Sequence, residues 1–228
     1  MKYTEKKEAL EWDVVIWGEA LNFWHEEIRN YLKRNRQPIK ILEIGSRSAR
    51  LSYWLYTKFP GNNITCSDYC WNENNIISQV KSLDSKQFVL ATESVTELSY
   101  QDEMYDIVIF KSVLGGLQDF SKQKVAIEEI HRVLKPNGIL LFAENLKSTK
   151  LHQSLRKFHN KFPWRYLNLT EFDSLLIIFS AVHTRTIGYI SLFFQKFFFR
   201  IIIGFIDKYV SRCISKKRRY VIYGVATK

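Results

Sequence analysis

A regular alternation of short apolar runs and amphipathic stretches across residues 39–145 limits the possible folds of this chain more than any other feature. Parallel strands need helical crossover connections and bury both faces of their sheet, which gives such a pattern. The sequence therefore predicts a doubly wound α/β fold. The predicted strands are KILEIG at 40–45, NITCSD at 63–68, FVLAT at 88–92, YDIVIFKS at 105–112 and ILLFAEN at 139–145, with helices at about 49–59, 72–82 and 121–134.

The length of 228 residues fits a single domain with one core. We divide it into an N-terminal helical lid at 1–37, a core at 38–145 and a C-terminal part at 146–228. Within the lid, residues 5–33 carry apolar side chains at steps of three and four. This spacing predicts an amphipathic helix with a break near Gly18.

The C-terminal part has a different pattern, in which basic and strongly apolar segments alternate. Its helices and strands are less regular in sequence, so we predict them from local signals such as a helix cap at Thr170. The predictions are a basic helix at 149–160, a helix starting at 170, a strand at 181–188, an apolar helix at 187–206 and a final strand at 220–228.

The apolar stretch at 187–206 is nearly long enough to cross a bilayer, but Gln195, Lys196 and Arg200 interrupt it. Each charge at the bilayer centre would cost roughly 2.5–3.5 kcal/mol. We therefore predict a helix that lies in the membrane interface. A helix packed on the domain or in a homodimer interface is the alternative.

The net charge of +11 is unevenly divided along the chain. Residues 1–145 hold 18 Lys and Arg against 20 Asp and Glu, whereas residues 146–228 hold 16 against 3. Such asymmetry is typical of a surface that meets phosphates, either of anionic lipid across 187–219 or of nucleic acid. Solubility alone is the simpler explanation.

The three cysteines and the charged N-terminal stretch bear on location. Cys66 and Cys70 lie four apart, but no second pair or nearby His completes a zinc set, so we predict no metal site. Residues 1–13 lack the apolar run of a signal peptide. We expect a cytoplasmic protein, or one peripheral on the inner face of the cell membrane.

The candidate site follows from the predicted sheet, because ligands bind beyond the carboxyl ends of parallel strands where the strand order reverses. The loop after the first strand contains Gly45, which permits a tight turn and close approach of the backbone to a ligand. Asp68 ends the second strand, 25 positions after Glu43. Its carboxylate is suited to accept from the two hydroxyls of a ribose. A tight turn without any ligand is the alternative.

The segment LEIGSRSARLS at 42–52 resembles the first motif of class I S-adenosylmethionine (SAM)-dependent methyltransferases, which is hydrophobic, acidic, x, Gly, x, Gly, x, Gly. Arg47 and Ala49 stand where the family has its second and third glycines. LSYQDEMYDIVIFKSVLGGLQD and EEIHRVLKPNGILLFAEN are similar to the family's later core segments, and YVIYGVATK to its antiparallel final strand. The resemblance implies a Rossmann-like, mostly parallel seven-stranded sheet, with SAM as cofactor and 38–145 as the SAM-binding core.

Residue by residue, the resemblance implies a cofactor site along the ends of the first four strands. Glu43 and Gly45 would lie near the methionine part of SAM, Asp68 would hold the ribose, and Tyr69 would cover the adenine. The adenine amino group would meet Glu93 or Ser94. The implied cofactor-binding residues are Glu43, Gly45, Ser46, Arg47, Asp68, Tyr69, Glu93, Ser94, Val95 and Lys111.

Methyl transfer from SAM is an in-line displacement that needs a general base only when the nucleophile is a poorly acidic hydroxyl. We select His25, Lys111 and Glu144 as candidate catalytic residues. His152 and Asp119 are further candidate bases. Each of these side chains also has a simpler reading as a structural or solvated group.

The aromatic and apolar segments bear on the molecule that accepts the methyl group. Trp12, Trp17 and Trp24, the segment PWRYL at 163–167 and the apolar insertion resemble methyltransferases associated with bacterial surface-polysaccharide biosynthesis. Aromatic side chains suit sugar faces, although Trp at helical spacing also packs in cores. We therefore expect O-methylation of a sugar, a lipid-linked glycan or another small molecule at a membrane surface. A nucleic-acid (RNA) methyltransferase and a non-enzymatic membrane- or nucleic-acid-binding module are the alternatives.

Overall fold

The computed structural model describes residues 1–10, 14–36, 38–71, 74–159, 163–194 and 199–228. Its centre is a seven-stranded sheet with the strand order β3-β2-β1-β4-β5-β7-β6. The strands are β1 (Lys40–Ile44), β2 (Asn63–Asp68), β3 (Phe88–Thr92), β4 (Tyr105–Lys111), β5 (Leu134–Asn145), β6 (Ala181–Ile187) and β7 (Val221–Thr227). The helices are α1 (Tyr3–Ala9), α2 (Val14–Arg34), α3 (Arg50–Lys58), α4 (Phe120–Val133), α5 (Lys150–His159), α6 (Leu169–Leu175) and α7 (Arg200–Cys213).

The strand directions confirm the predicted mostly parallel, doubly wound sheet. The first five strands pair in parallel, while β7 runs antiparallel to both β5 and β6. β1 pairs with β2 on one side and with β4 on the other. The strand order therefore reverses between β1 and β4, and the loops that follow these two strands diverge to opposite faces of the sheet.

Alternate residues of the central strands supply two hydrophobic cores, one on each face. Ile41 and Ile107 belong to the core beneath α1, α2 and α3. Leu42 and Val108 belong to the core beneath α4 and α6. Burial on both faces explains why these strands are almost continuously apolar in sequence.

Helix α2 has a larger part in the fold than a lid would have. It runs unbroken through Gly18, and the break in the N-terminal segment comes before it, after α1 ends at Ala9. Trp17 is 4% exposed and Trp24 is fully buried, so both are core residues. The expected break near Gly18 was wrong, and these two Trp side chains are not open to a sugar. Trp12 lies outside the described residues.

Two other local predictions need correction. In place of the helix predicted at 72–82, the described residues contain a short 3₁₀ turn at Ser78–Ser82, with 72–73 outside the description. The cap of α6 is Asn168 and not Thr170. The Asn168 side chain accepts from the Glu171 N–H, and the Glu171 carboxylate accepts from the Asn168 N–H, which forms a capping box.

The stretch 187–206 is not one helix. β6 ends at Ile187, Gly188 has a φ of +84°, a 3₁₀ turn covers Ser191–Phe194, and α7 starts only at Arg200. Residues 195–198 lie outside the described part. Within the described ranges, no helix combines the length and the hydropathy needed to span a bilayer.

A buried carboxylate on α7 fixes this chain reversal. The Asp207 side chain is fully buried and accepts from the Tyr189 N–H at 2.8 Å, the Ser191 N–H at 2.9 Å and the Ser191 hydroxyl at 2.6 Å. These three bonds hold the turn after β6 against the middle of α7. A continuous helix through 187–206 would separate these partners, which is the physical reason that the prediction failed.

Replacing this carboxylate should destabilise the fold. In Asp207→Ala, two main-chain N–H groups and one hydroxyl lose their acceptor, so we expect the free energy of unfolding to fall by about 3 kcal/mol or more. Chemical denaturation measures this change. Asp173→Ala, at an exposed position on α6, serves as the control and should change stability by less than about 0.5 kcal/mol. Equal losses in the two variants would contradict the assignment.

Candidate functional site

An open cavity of about 940 Å³ lies beyond the carboxyl ends of β1 to β4, where the strand order reverses. This volume is at the upper end of the range typical of small-molecule sites. The walls come from the loops that follow these four strands, together with Ala9 from α1 and Trp164 from the segment before α6. All ten residues predicted to bind the cofactor line this cavity: Glu43, Gly45, Ser46, Arg47, Asp68, Tyr69, Glu93, Ser94, Val95 and Lys111.

The loop after β1 has an unusual backbone. Gly45, Arg47 and Ala49 have φ values of +70°, +57° and +63°. These are the three positions at which the first methyltransferase motif has glycine, which alone adopts such angles without penalty. A side chain in the left-handed region costs roughly 1–2 kcal/mol. Arg47 and Ala49 therefore adopt left-handed backbone angles without being glycine.

Gly45 is required for a second reason. A Cβ atom at this position would come within 2.5 Å of the Val113 Cγ2 atom in the loop after β4. The loops after β1 and β4 therefore approach each other as closely as glycine allows. This close approach forms the floor of the cavity at the switch point.

Asp68 connects the loops after β1 and β2. Its Oδ2 accepts from the Arg47 N–H at 2.7 Å, and its Oδ1 accepts from the Cys70 N–H at 3.0 Å. The Ser46 N–H also donates to the Ser67 carbonyl at 3.0 Å. An ionised carboxylate offers about four acceptor sites, so Asp68 retains capacity for two hydroxyl donors.

Glu43 points from β1 toward α3, and its side chain is 4% exposed. Its carboxylate accepts from the Ser52 hydroxyl. Burial raises the pKa of Glu43 to about 7, while the hydrogen bond from Ser52 and the positive charge of Lys111 oppose this shift. Glu43 therefore lies at the edge of the cavity with a pKa above that of an exposed carboxylate.

Lys111 ends β4 on the same face of the sheet as Glu43. Its Nζ lies 5.2 Å from the ring centroid of Trp17, which supports it from α2. A cation over a Trp face is stabilised by the ring quadrupole. Lys111 therefore contacts the N-terminal segment as well as the cavity.

The residues after β3 form the far wall. The Glu93 carboxylate accepts from the Ser99 N–H at 3.0 Å and from the Ser99 hydroxyl at 2.5 Å, and so closes its own loop. The Ser94 hydroxyl lies 2.9 Å from the Thr96 hydroxyl. Tyr69 is 77% exposed at the rim. Its ring is therefore accessible as a cover for a planar ligand.

Glu144, a candidate catalytic residue from the sequence, does not line the cavity. It is 1% exposed and accepts from the N–H groups of Val113, Leu114 and Asn145 at 2.8–2.9 Å. Burial raises its pKa to about 7 against the effect of these N–H donors. We assign Glu144 a positioning role, because it holds the loop after β4 from beneath.

The other candidate bases are also held by packing contacts or hydrogen bonds within the fold. The ring of His25 packs on Trp54 and Phe59, outside the cavity. His152 is fully buried, with Nε2 at 2.8 Å from the Tyr189 carbonyl, and burial lowers its pKa. Asp119 borders the cavity, but it caps α4 by accepting from the Lys122 N–H, which lowers its pKa. The structure therefore does not bring His25 to the wall of this cavity.

The cavity also contains residues that sequence reasoning missed. Ala9, Arg50 and Lys122 line it from the ends of α1, α3 and α4. Trp164 forms one wall, and its indole packs so closely on Gly115 that a Cβ there would lie 1.7 Å from the Trp164 Nε1 atom. The adjacent glycines in the loop after β4 were a usable signal for this contact, but the sequence did not indicate which aromatic residue covers them.

Comparison with known proteins gives consistent matches. A family model described as a methyltransferase domain matches residues 16–180. Malonyl-[acyl-carrier protein] O-methyltransferase of Priestia megaterium is 29% identical over 161 residues, which cover 65% of this chain and 57% of that protein. Demethylmenaquinone methyltransferase of Chlamydia felis is 23% identical over 133 residues, with 58% and 56% covered. The chain spans little more than half the length of these curated relatives.

Solved structures share the fold at low identity. A SAM-dependent methyltransferase from Methanosarcina mazei superimposes with a TM-score of 0.61 at 19% identity, covering 89% of this chain and 96% of that chain. Phosphoethanolamine N-methyltransferase 2 of Haemonchus contortus, solved with S-adenosyl-L-methionine, gives a TM-score of 0.65 at 15% identity, covering 93% and 52%. Since the family model spans well over half of the chain and the sheet has the same fold as these enzymes, the chain belongs to the methyltransferase-domain family.

Proposed function

We propose that this chain is a SAM-dependent methyltransferase that O-methylates a sugar, a lipid-linked glycan or another small-molecule acceptor at a membrane surface. The observation that carries the proposal is the hydrogen bond that connects the loop after β1 with the loop after β2. There a left-handed turn at residues 45–49 meets the carboxylate of Asp68 at the switch point of the sheet.

The residues present fit the cofactor. Gly45 permits the close approach to Val113 that forms the cavity floor, and Asp68 retains acceptor sites for two ribose hydroxyls. The exposed ring of Tyr69 is available to cover the adenine, beside Ser94 and Val95. When bound, SAM would supply an electrophilic methyl group on a positively charged sulfonium. The carboxylate of Glu43, once ionised, would favour that charge.

The names of the relatives support methyl transfer more firmly than any one acceptor. Those proteins are named for O-methylation of a malonyl carrier protein, methylation of a demethylmenaquinone and N-methylation of phosphoethanolamine. Their shared feature is the transferred group. The acceptor of this chain must therefore be argued from its own cavity.

The acceptor side of the cavity favours a small, partly polar molecule. Trp164 offers an aromatic wall and Lys111 a positive charge, and Lys122 borders the same space. An aromatic wall with neighbouring polar groups suits the apolar face and the hydroxyls of a sugar. Lys111 would orient the acceptor from the end of β4. The excess of Lys and Arg beyond residue 145 supports the membrane part of the proposal.

Removal of the ribose contact should weaken cofactor binding. We expect Asp68→Ala to raise the dissociation constant for SAM by an amount equivalent to roughly 1.5–3 kcal/mol, the range for hydrogen bonds to a charged group. Isothermal titration calorimetry measures the change. Asp84 is a matched control, because it is exposed and its carboxylate also accepts from the N–H two residues later, at 2.9 Å. Asp84→Ala should bind SAM with unchanged affinity. Unchanged affinity in a folded Asp68→Ala variant would contradict the ribose assignment.

Restoring a glycine in the loop after β1 should relieve strain. We expect Arg47→Gly to keep or improve SAM affinity and to raise the free energy of unfolding by about 0.5–1 kcal/mol. This gain is the left-handed penalty less the extra chain entropy of glycine. Glu103→Gly, at a φ of +56° away from the cavity, is the control for relief of backbone strain, although it also removes a 3.7 Å ion pair with Lys228 at the surface. A clear loss of affinity in Arg47→Gly would mean that the arginine side chain holds the cofactor.

Gly115 and Gly116, adjacent in the loop after β4, should respond differently to replacement by alanine. In Gly115→Ala the new methyl group overlaps Trp164, so we expect about 1–3 kcal/mol of lost stability and weaker methyl transfer. In Gly116→Ala the nearest atom is 3.5 Å away, an ordinary contact. Chemical denaturation and transfer from labelled SAM to a panel of nucleotide sugars and polyprenyl-linked glycans compare the two. Equal behaviour would show that Trp164 does not shape the acceptor side.

A further inference from the structure

Helix α7 presents an apolar face to solvent. Ile202, Phe205, Ile206 and Tyr209 are 57%, 52%, 51% and 62% exposed, and Phe199 just before the helix is 59% exposed. At 100° per residue the four helical positions fall within one sector of about 100°. We call these five residues the α7 apolar face. Single exposed apolar residues are normal on a protein surface, but a contiguous group of this size marks a contact site.

The opposite side of α7 is fixed to the domain, so the helix cannot rotate to bury this face. Gly204 approaches α2 so closely that a Cβ would lie 2.9 Å from the Val15 Cβ atom. Asp207 is bonded to the turn after β6, and Lys208 forms a 3.0 Å ion pair with Glu19 on α2. The exposure is therefore imposed by packing that stabilises the fold.

The surroundings of the face are positively charged. Residues 174–228 contain ten Lys and Arg but only one acidic residue, Asp207, which is buried. Arg200, Arg212 and residues 216–218 are exposed at the two ends of α7. The Arg212 guanidinium lies 5.4 Å from the ring centroid of Tyr209, which puts a cation at the border of the apolar face.

The combination of apolar and basic groups indicates which kind of partner binds the α7 apolar face. A second copy of the chain would bring two strongly positive segments together, and their repulsion would oppose the contact. Nucleic acid would neutralise the charges but would leave Phe205 and Ile206 in water. An anionic lipid surface satisfies both, because its headgroups attract Lys and Arg while its acyl boundary takes up apolar side chains.

We propose that the α7 apolar face docks this protein on membranes that contain anionic lipid. The docking does not depend on methyl transfer and is tested without it. α7 runs alongside α2 in the same direction, since Gly204 meets Val15 and Lys208 pairs with Glu19. Its first turn thus lies at the end of α2 where Trp17 contacts Lys111, so the docked helix begins near the cavity end of the sheet.

Vesicle co-sedimentation of the full chain tests the proposal. We compare neutral vesicles of phosphatidylcholine alone with anionic vesicles of equimolar phosphatidylglycerol and phosphatidylcholine. Each comparison is made at low and at high salt. The unaltered chain should bind the anionic vesicles at least tenfold more tightly than the neutral ones, and less tightly as salt rises. Ile202→Glu with Phe205→Glu should abolish binding. Lys216→Gln with Lys217→Gln should weaken it by about fivefold for each charge removed.

A matched variant separates docking from a general loss of surface hydrophobicity. Val125→Glu with Ile177→Glu changes two apolar residues that are 40% and 82% exposed on other elements, and it should bind like the unaltered chain. Thermal unfolding checks that each variant is folded. The proposal is overturned if the unaltered chain fails to sediment at low salt, or binds neutral vesicles equally well. It is also overturned if both double Glu variants bind alike, or if the face instead holds a stable dimer in solution.

Discussion

The parallel pairing of β1 with β2 on one side and β4 on the other is the constraint on which the rest of the structure depends. It sends the loops after β1 and β4 to opposite faces and leaves a cleft between them. The loops after these three strands supply much of the cavity lining. The close approach of Gly45 to Val113 and the bond from the Arg47 N–H to Asp68 both follow from it.

Two buried carboxylates support this cleft from opposite faces of the sheet. Glu43 faces α3 and accepts from Ser52, whereas Glu144 lies under the loop after β4 and accepts from main-chain N–H groups. Burial raises the pKa of each to about 7. The folded state therefore retains protons between about pH 4.5 and 7 that the unfolded chain would release, so these groups favour the fold less as the pH rises through this range. Hydrogen bonds to Glu43 and Glu144 offset part of the free-energy cost of burying these carboxylates.

Much of the fold was predictable from the sequence because it depends on periodicity and local chemistry. Apolar runs buried on both faces identify the five parallel strands, and their ends identify the loops that line the cavity. The first motif likewise located Gly45, and the end of the second predicted strand located Asp68. The helix predicted at 72–82 failed, since a weak local period does not decide whether packing supports a helix or only a 3₁₀ turn.

Side-chain roles needed the tertiary structure, because they depend on neighbours that are distant in sequence. Glu144 and His25 look alike as candidate bases in the sequence, yet one holds a loop and the other packs outside the cavity. The fully buried Asp207 breaks the apolar stretch by binding the turn after β6. The sequence by itself determined the sheet, its switch point and the surplus of positive charge. Only the tertiary structure decided which groups face the cavity, since burial and hydrogen bonds are set by elements that meet only on folding.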